Sequence, residues 1–527
     1  MPLLEIGLAP TATCAIRVTS APPLDANHLE AADVRQRTIA SGLAAIVVRT
    51  AQSILSLGAA IVLARLLTPG DFGVFAMVLP LGVMAANLSS QCLQTAILQS
   101  RDLEDEDLSA FFWFAARVNL LVAGGMVVIG LALAQFYGEP RVRGIAAIWA
   151  VLLYAVTLTA FQEARLKRQL RFPTVLFVQF ATLVIALTSA VVAAWRGAGY
   201  WSLPLQIFVM EVTRAIGILA VGGWWPRRPR PAQHGRVNDL RRAWFSLVGL
   251  RLATWVNDQP DLLAVGRMGG APVLGAYDTA RRWSWYPFEE PFFALTDVAV
   301  ASLNRAQGDP PRFRRVVMRA ILVMLTISMP AIAFVAAETT TVVVTLLGTK
   351  WLPAVPFLRL LCVAAFCGAL SRVTTWIPLA QGQTRRLLRW SLYLQAPAIV
   401  LAVLAGRHWG ASGVAAAIAT TACVLVLPGI AYAVHGSAVS LGDVLRAAAR
   451  PTLASLGAAA TVVMVSAVLP EGRGMERLAA ALALHVAVFA VLWLGMPGGI
   501  DDARACAGGL REFRPGTTPA ERTHAGP

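Results

Sequence analysis

Charge is what this sequence has least of. Asp, Glu, Lys and Arg make up 14% of the 527 residues, against roughly 25% in a soluble globular protein. Cysteine and histidine are also sparse, with six of each. The cysteines (Cys14, Cys92, Cys362, Cys367, Cys423 and Cys506) have no paired or CxxC spacing, which excludes a disulfide framework or a zinc cluster. They read as small apolar residues. No two histidines stand at a metal-ligand spacing, so no metal site is expected. A P-loop, GxSxG, HExxH and a glycine-rich nucleotide loop are all missing. The longest internal hydrophilic connection, 226–242, leaves no room for a soluble catalytic domain or for the large external loop of a membrane glycan polymerase. The chain is therefore not expected to be an enzyme.

What is present is hydrophobic length. Apolar residues make up 57% of the chain, mean hydropathy is +0.63, and membrane-length apolar segments recur almost end to end. The fold class expected is an all-α polytopic membrane protein with about fourteen transmembrane helices, placed between residues 41 and 496. The formal net charge of +16 would suggest nucleic acid in a soluble protein. Here the basic residues cluster in alternate connections. "EARLKRQLRF", "PRRPRPAQHGRVNDLRR", "NRAQGDPPRFRR" and "QGQTRRLLR" follow the fourth, sixth, eighth and tenth spans, while the intervening connections carry few. The positive-inside rule puts the basic connections and both termini in the cytoplasm. No nucleic-acid partner is expected.

The chain repeats itself. Displaced by 202 residues, Arg49 meets Arg251, Arg65 meets Arg267, Gly73 meets Gly275, Phe75 meets Tyr277 and Arg117 meets Arg319, without a gap. Two six-helix halves follow, 38–226 and 243–435, joined by a basic cytoplasmic linker, 227–242. Two further helices occupy 436–498. Residues 1–37 read as a flexible cytoplasmic tail and 499–527 as a disordered one. Six is an even number, so the halves share one orientation, related by an axis along the membrane normal. Transporters built from such parallel repeats place their site between the halves.

Charged side chains inside spans cost about 2.5–3.5 kcal/mol each on insertion scales and normally face a cavity or a partner. In "RLATWVNDQPD", Arg251, Thr254, Asp258 and Asp261 recur every three or four residues and share one helical face. In lipid the two carboxylates alone would cost about 5–7 kcal/mol. Asp258 and Asp261 are thus candidates for binding a coupling cation or proton. The alternative is that they cap the helix or pair with Arg267. Pro260 predicts a kink beside them. Arg49, Arg117, Arg251 and Arg319 lie six to nine residues inside their spans, and form either a basic ring at a cavity mouth or a set of snorkelling side chains. Glu211 and Arg214, an i,i+3 pair, read as a structural ion pair. Gln91 and Gln94 read as interhelical hydrogen-bonders. Trp201, Trp224, Trp225, Trp283, Trp285, Tyr286 and Trp351 read as interfacial anchors.

"VLARLLTPGDFGVFAMV" (62–78), "QEARLKRQLRF" (162–172) and "DLLAVGRMGGAPVLGAYDTARRWSWYPFE" (261–289) resemble the polysaccharide transporter (Wzx-type) flippases of the multidrug/oligosaccharidyl-lipid/polysaccharide exporter superfamily, over about residues 38–500. The resemblance implies a bacterial inner-membrane protein that moves an undecaprenyl-pyrophosphate-linked oligosaccharide between leaflets by alternating access, for exopolysaccharide, capsule or O-antigen assembly. It implies no cofactor beyond a coupling H+ or Na+. Membrane lipids, and glycan polymerase and chain-length machinery, are the partners it implies. The family's acidic position before "LLxxGR" falls on Asp261. Two alternatives stand beside it: a cation-coupled drug or metabolite exporter of the same superfamily, and a non-transporting component of a glycan assembly complex.

Overall fold

The computed structural model describes residues 31–100, 103–169, 171–227, 234–306, 308–468 and 474–512. Most of the expected N-terminal tail, part of the basic linker and residues 513–527 lie outside the described residues. Every regular element described is helical, as expected. The first half comprises α1 (Ala31–Leu66), α2 (Pro69–Ala76), α3 (Leu79–Ser89), α4 (Gln91–Gln99), α5 (Asp105–Tyr137), α6 (Val142–Arg168), α7 (Phe172–Trp195) and α8 (Ser202–Gly222). The second opens with α9 (His234–Asp258), α10 (Pro260–Arg305) and α11 (Pro310–Ala337). It continues through α12 (Thr339–Val342), α13 (Val355–Thr374), α14 (Trp376–Ala380), α15 (Thr384–Trp390), α16 (Ala396–Gly406) and α17 (Gly410–Val434). Last come α18 (Leu441–Val468), α19 (Gly474–Gly495) and α20 (Gly499–Glu512).

Three boundaries differ from expectation. Helix α1 already runs from Ala31, inside the expected tail, and α9 begins at His234, inside the expected linker. Residues Gly499–Glu512 are helical rather than disordered, because α20 packs on α11 and α19 and Arg450 of α18 pairs with its Asp502 at 2.5 Å. Among the described residues nine helices are long and apolar enough to cross a bilayer, or ten if a bent pair in α1 and α2 is one span. Part of the shortfall from fourteen has a physical cause. Breaks interrupt α2–α4, and polar residues dilute α9 and α10. Residues 385–434 count as one apolar stretch although α16 and α17 pack side by side around Gly406 and Gly413.

The turn "TPGD" shows why α1 ends where it does. Thr68 caps α2, its side chain accepting from the Asp71 N–H, while the Asp71 carboxylate accepts from the Thr68 N–H at 2.9 Å. Pro69 occupies the first helical turn. The chain bends by 119°, and α2 crosses to the other half and lies on α10. The contact is backbone on backbone. A Cβ at Gly73 would lie 1.7 Å from the Ala271 carbonyl oxygen, and one at Gly275 would lie 1.8 Å from that of Pro69. Gly73 and Gly275 are repeat partners, and so are Pro69 and Ala271. Each half makes the other's contact, as a two-fold axis requires. The register read from the sequence is therefore present in space, with the axis through this crossing.

Further contacts tie the halves beside it. Trp351 Nε1 donates to the Ala64 carbonyl and Lys350 Nζ to that of Arg65, both at 2.8 Å, so second-half donors satisfy the last carbonyls of α1. Arg65 reciprocates with bonds to the Leu346 and Thr345 carbonyls. Its repeat partner Arg267 stacks over Phe136 of α5 in the first half, 5.9 Å from the ring centre. Elsewhere α18 docks along α11, with Arg314 binding both oxygens of Asp443 at 2.8 and 2.5 Å. In the connection between α5 and α6, Arg141 likewise grips Glu139 at 2.8 Å and holds its carboxyl below the usual carboxylate range.

Adding one methyl group tests the crossing. Gly73→Ala or Gly275→Ala is expected to destabilise the purified protein by about 1–3 kcal/mol, since the neighbouring atom is backbone and cannot swing aside. Gly58→Ala, in α1 with nothing within 4 Å of the added carbon, is expected to be neutral or slightly stabilising. Thermal unfolding in detergent reads both, and equal melting temperatures for Gly73→Ala and Gly58→Ala would refute the close approach.

Candidate functional site

Beneath the crossing lies a cavity of about 600 Å³, lined by α2 and α3 on one side and by α9, α10, α13 and α15–α17 on the other. Its chemistry begins at the break the sequence anticipates. Helix α9 ends at Asp258, Gln259 leaves helical geometry, and Pro260 opens α10. At Gly270 the backbone turns through φ +66°, a conformation that favours glycine. That turn brings the residues before it against those after it. Asp261, 6% exposed, accepts the hydroxyl of fully buried Tyr277 at 2.9 Å and pairs with Arg281 at 3.4 Å.

The charged face continues along α10. Asp278 binds Arg282 at 2.8 Å across one helical turn. Glu289 meets Arg372 of α13 at 3.3 Å, and that guanidinium lies over the Trp285 ring, 4.7 Å from its centre. Arg251 of α9 donates to Gln91 Oε1 of α4 at 3.1 Å. Four guanidiniums thus face three carboxylates around the cavity, leaving one positive charge in excess.

The opposite wall is the repeat of this one and is almost uncharged. At the 202-residue displacement, Asp278, Arg281, Arg282, Trp285 and Glu289 correspond to Ala76, Leu79, Pro80, Val83 and Asn87. All ten line the cavity. Asp261 corresponds to Ala59 and Tyr277 to Phe75. The pseudo-two-fold axis therefore sets a charged wall against an apolar one.

Of the residues singled out from sequence, the structure brings Arg251 and Asp261 to this cavity. Arg49, Arg117 and Arg319 do not line it, so the four arginines form no ring. Among the described residues, helices α1, α5 and α11, which carry these three, contribute nothing to the lining. Arg49 and Arg117 are exposed, and Arg319 lies near Cys506 of α20. The side chains of Thr254 and Asp258 lie outside the described residues. The break at Gln259 also ends the continuous helical face on which they were placed with Asp261.

Glu211 and Arg214 pair at 3.4 Å, within a larger network the sequence did not suggest. Glu163 of α6, buried, binds Arg214 at 2.7 Å and Lys167 at 3.5 Å, and accepts from Gln94 at 3.2 Å. Gln91 and Gln94 do bond between helices. Four of the expected interfacial aromatics are internal: Trp351 is fully buried, Trp224 is buried against Phe112 and Phe161, Trp285 lines the cavity, and Tyr286 donates to the Ser53 carbonyl at 2.8 Å. Reading missed Asp278, Arg281, Arg282, Glu289 and Arg372. The first four were findable, since each stands opposite an apolar residue or an amide in the repeat. Arg372 lies beyond the ungapped part of that register, so no sequence signal marks it.

A family profile described as polysaccharide biosynthesis protein matches residues 62–356. The succinoglycan biosynthesis transport protein ExoT of Rhizobium meliloti is 27% identical over 66% of this chain and 69% of its own. The lipopolysaccharide biosynthesis protein WzxC of Escherichia coli is 20% identical over 67% and 72%. Among solved structures, the lipid II flippase MurJ in an inward closed conformation superposes with a TM-score of 0.68 at 11% identity, covering 85% of this chain and 97% of that one. An inward-facing MATE-family multidrug transporter gives 0.59 at 15% identity, over 77% and 98%. At these identities the two structures show the fold.

The pair at the head of the charged wall has a direct test. Arg281→Gln leaves the Asp261 carboxylate with the Tyr277 hydroxyl but no cation and is expected to destabilise by about 3 kcal/mol, whereas removing both charges with Asp261→Asn recovers most of the loss. Thermal unfolding of the two single variants and the double variant measures the coupling. Strict additivity would mean that the two side chains do not interact.

Proposed function

Starting from a chain that belongs to the polysaccharide biosynthesis protein family, we propose that it is a flippase for an undecaprenyl-pyrophosphate-linked oligosaccharide. It would carry that substrate from the cytoplasmic to the periplasmic leaflet of a bacterial inner membrane, serving exopolysaccharide, capsule or O-antigen assembly. The chain is a multi-pass membrane protein and a transporter rather than an enzyme. The observation that carries the proposal is the two-sided cavity, in which a charged wall faces its own apolar repeat. A lipid-linked glycan is amphiphilic in the same way.

In this reading Arg281, Arg282 and Arg251 take the pyrophosphate, since a guanidinium presents a planar fork of donors to phosphate oxygens. The sugars occupy the remainder of the polar wall, and the prenyl chain stays in lipid. Both termini are cytoplasmic, and the Gly73–Gly275 crossing closes the periplasmic end. Alternating access then consists of opening that seam and closing the opposite end. Asp261 supplies the coupling. A proton or Na+ bound there competes with Arg281 for the carboxylate and releases that guanidinium to the substrate, and an ion shifts the equilibrium only by favouring one state. A glycan polymerase and chain-length machinery would take up the product.

Reconstituted protein given a fluorescent lipid-linked oligosaccharide is expected to translocate it. Arg251→Ala and Asp261→Asn are each expected to slow translocation by on the order of tenfold or more, the scale for truncating one partner of a charged contact. Wild-type rates in both variants would remove these residues from the site. The drug-exporter alternative makes a different prediction for a deletion strain: surface polysaccharide intact and drug sensitivity raised. Absence of any flipping by pure protein would leave the non-transporting component.

A further inference from the structure

We infer that one segment of the charged wall is a pyranose-binding subsite, with Trp285 and Trp390 as its platforms and Glu289, Arg372 and Ser371 as its polar rim. The inference rests on the flippase reading and assigns the glycan, as distinct from the pyrophosphate, to particular side chains.

Each indole is seated on a glycine of a neighbouring helix. A Cβ at Gly368 of α13 would come within 2.5 Å of the Trp285 ring, and one at Gly429 of α17 within 3.3 Å of the Trp390 ring. Both indoles line the cavity and keep part of their surface exposed. They come from different elements, Trp285 from α10 and Trp390 from the end of α15, and the same helical turn of α13 reaches both. Gly368 touches the first, and Ser371 Oγ lies 3.8 Å from the carbon that would be added at Gly429, beside the second. Arg372, the next residue, stacks on Trp285 and meets Glu289. Tyr432 backs Trp390, with ring centres 5.2 Å apart.

Pyrophosphate has no use for this arrangement. The face of an indole ring, negative in its quadrupole, disfavours an anion, and the Glu289 carboxylate repels it. A pyranose ring matches it, because one face presents C–H groups that pack on an aromatic surface while its rim presents hydroxyls that both donate and accept. Glu289 accepts, Ser371 does either, and Arg372 donates. The Glu289–Arg372 pair is about two-fifths exposed on each side and uses one oxygen and one nitrogen, so it can take up hydroxyls without being dismantled. At the other end of the charged wall, Asp261 and Asp278 are buried against Arg281 and Arg282.

The test uses the full chain in phospholipid nanodiscs with two kinds of probe. Methyl β-glycosides of glucose, galactose and N-acetylglucosamine are followed by saturation-transfer NMR, and inorganic pyrophosphate by calorimetry. At least one glycoside is expected to bind through its ring C–H protons. Trp285→Leu and Trp390→Leu should each weaken it about tenfold, the upper end for one aromatic contact, with pyrophosphate affinity within about twofold of wild type. Trp390→Phe keeps a platform and is expected to retain binding. Glu289→Gln keeps the size but weakens the best acceptor, lowering glycoside affinity without lowering that for pyrophosphate, a result readable even if a Leu variant fails to fold. Wild-type protein that binds pyrophosphate but none of the glycosides, or Leu variants that bind them normally, would overturn the subsite and leave the flippase reading standing. Protein that binds neither probe and flips no lipid-linked glycan would overturn both.

Discussion

Two glycines packed on each other's backbone are the contact on which this molecule turns. Gly73 and Gly275 let α2 cross α10 with no side chain between them, so that carbonyl oxygens occupy the space where a methyl group would stand. Nothing larger than hydrogen fits at either position. Because the two residues are repeat partners, the contact fixes the pseudo-two-fold axis to atomic register rather than merely suggesting it. Five residue pairs displaced by 202 along α2–α3 and α10 then face each other across one space, and that space is the cavity.

Symmetry of backbone with asymmetry of charge follows. A parallel repeat with identical walls would enclose either a wholly polar or a wholly apolar volume. Here the second copy carries Asp278, Arg281, Arg282 and Glu289 where the first carries Ala76, Leu79, Pro80 and Asn87. The carboxylates are tolerated at membrane depth because each is held by a guanidinium, which lowers the cost that an isolated charge would meet in hydrocarbon. In the proposed cycle a phosphate would take the guanidinium of such a pair and a proton or cation the carboxylate, so that neither charge is left uncompensated. A wall made of satisfied but exchangeable pairs suits a site that must bind and release.

The ion pairs outside the cavity do a different job. Glu163, Arg214, Glu211, Lys167 and Gln94 join α4, α6 and α8 in a cluster none of whose members lines the cavity. Asp443 fastens α18 to α11 through Arg314. Side-chain networks of this kind act as interhelical fasteners in lipid, where apolar side chains gain nothing by leaving the solvent. The two kinds of charge look alike in sequence, and only their surroundings separate them.

The sequence by itself determined the helical membrane class, the repeat register, the break before Pro260 and the withdrawal of Asp261 from lipid. All of these depend on local physics: apolar length, proline geometry, the desolvation of a carboxylate, or self-similarity along one dimension. The tertiary structure alone decided which charges face the cavity. Arg49, Arg117, Arg251 and Arg319 are alike in residue type and depth, yet only Arg251 lines it, because its helix does and α1, α5 and α11 do not. Trp285 reads as an interfacial anchor by its position near a span end, but Gly368 gives it a seat inside. Which face a helix turns inward depends on how its neighbours pack, and periodicity along a uniformly apolar span carries almost no record of that packing.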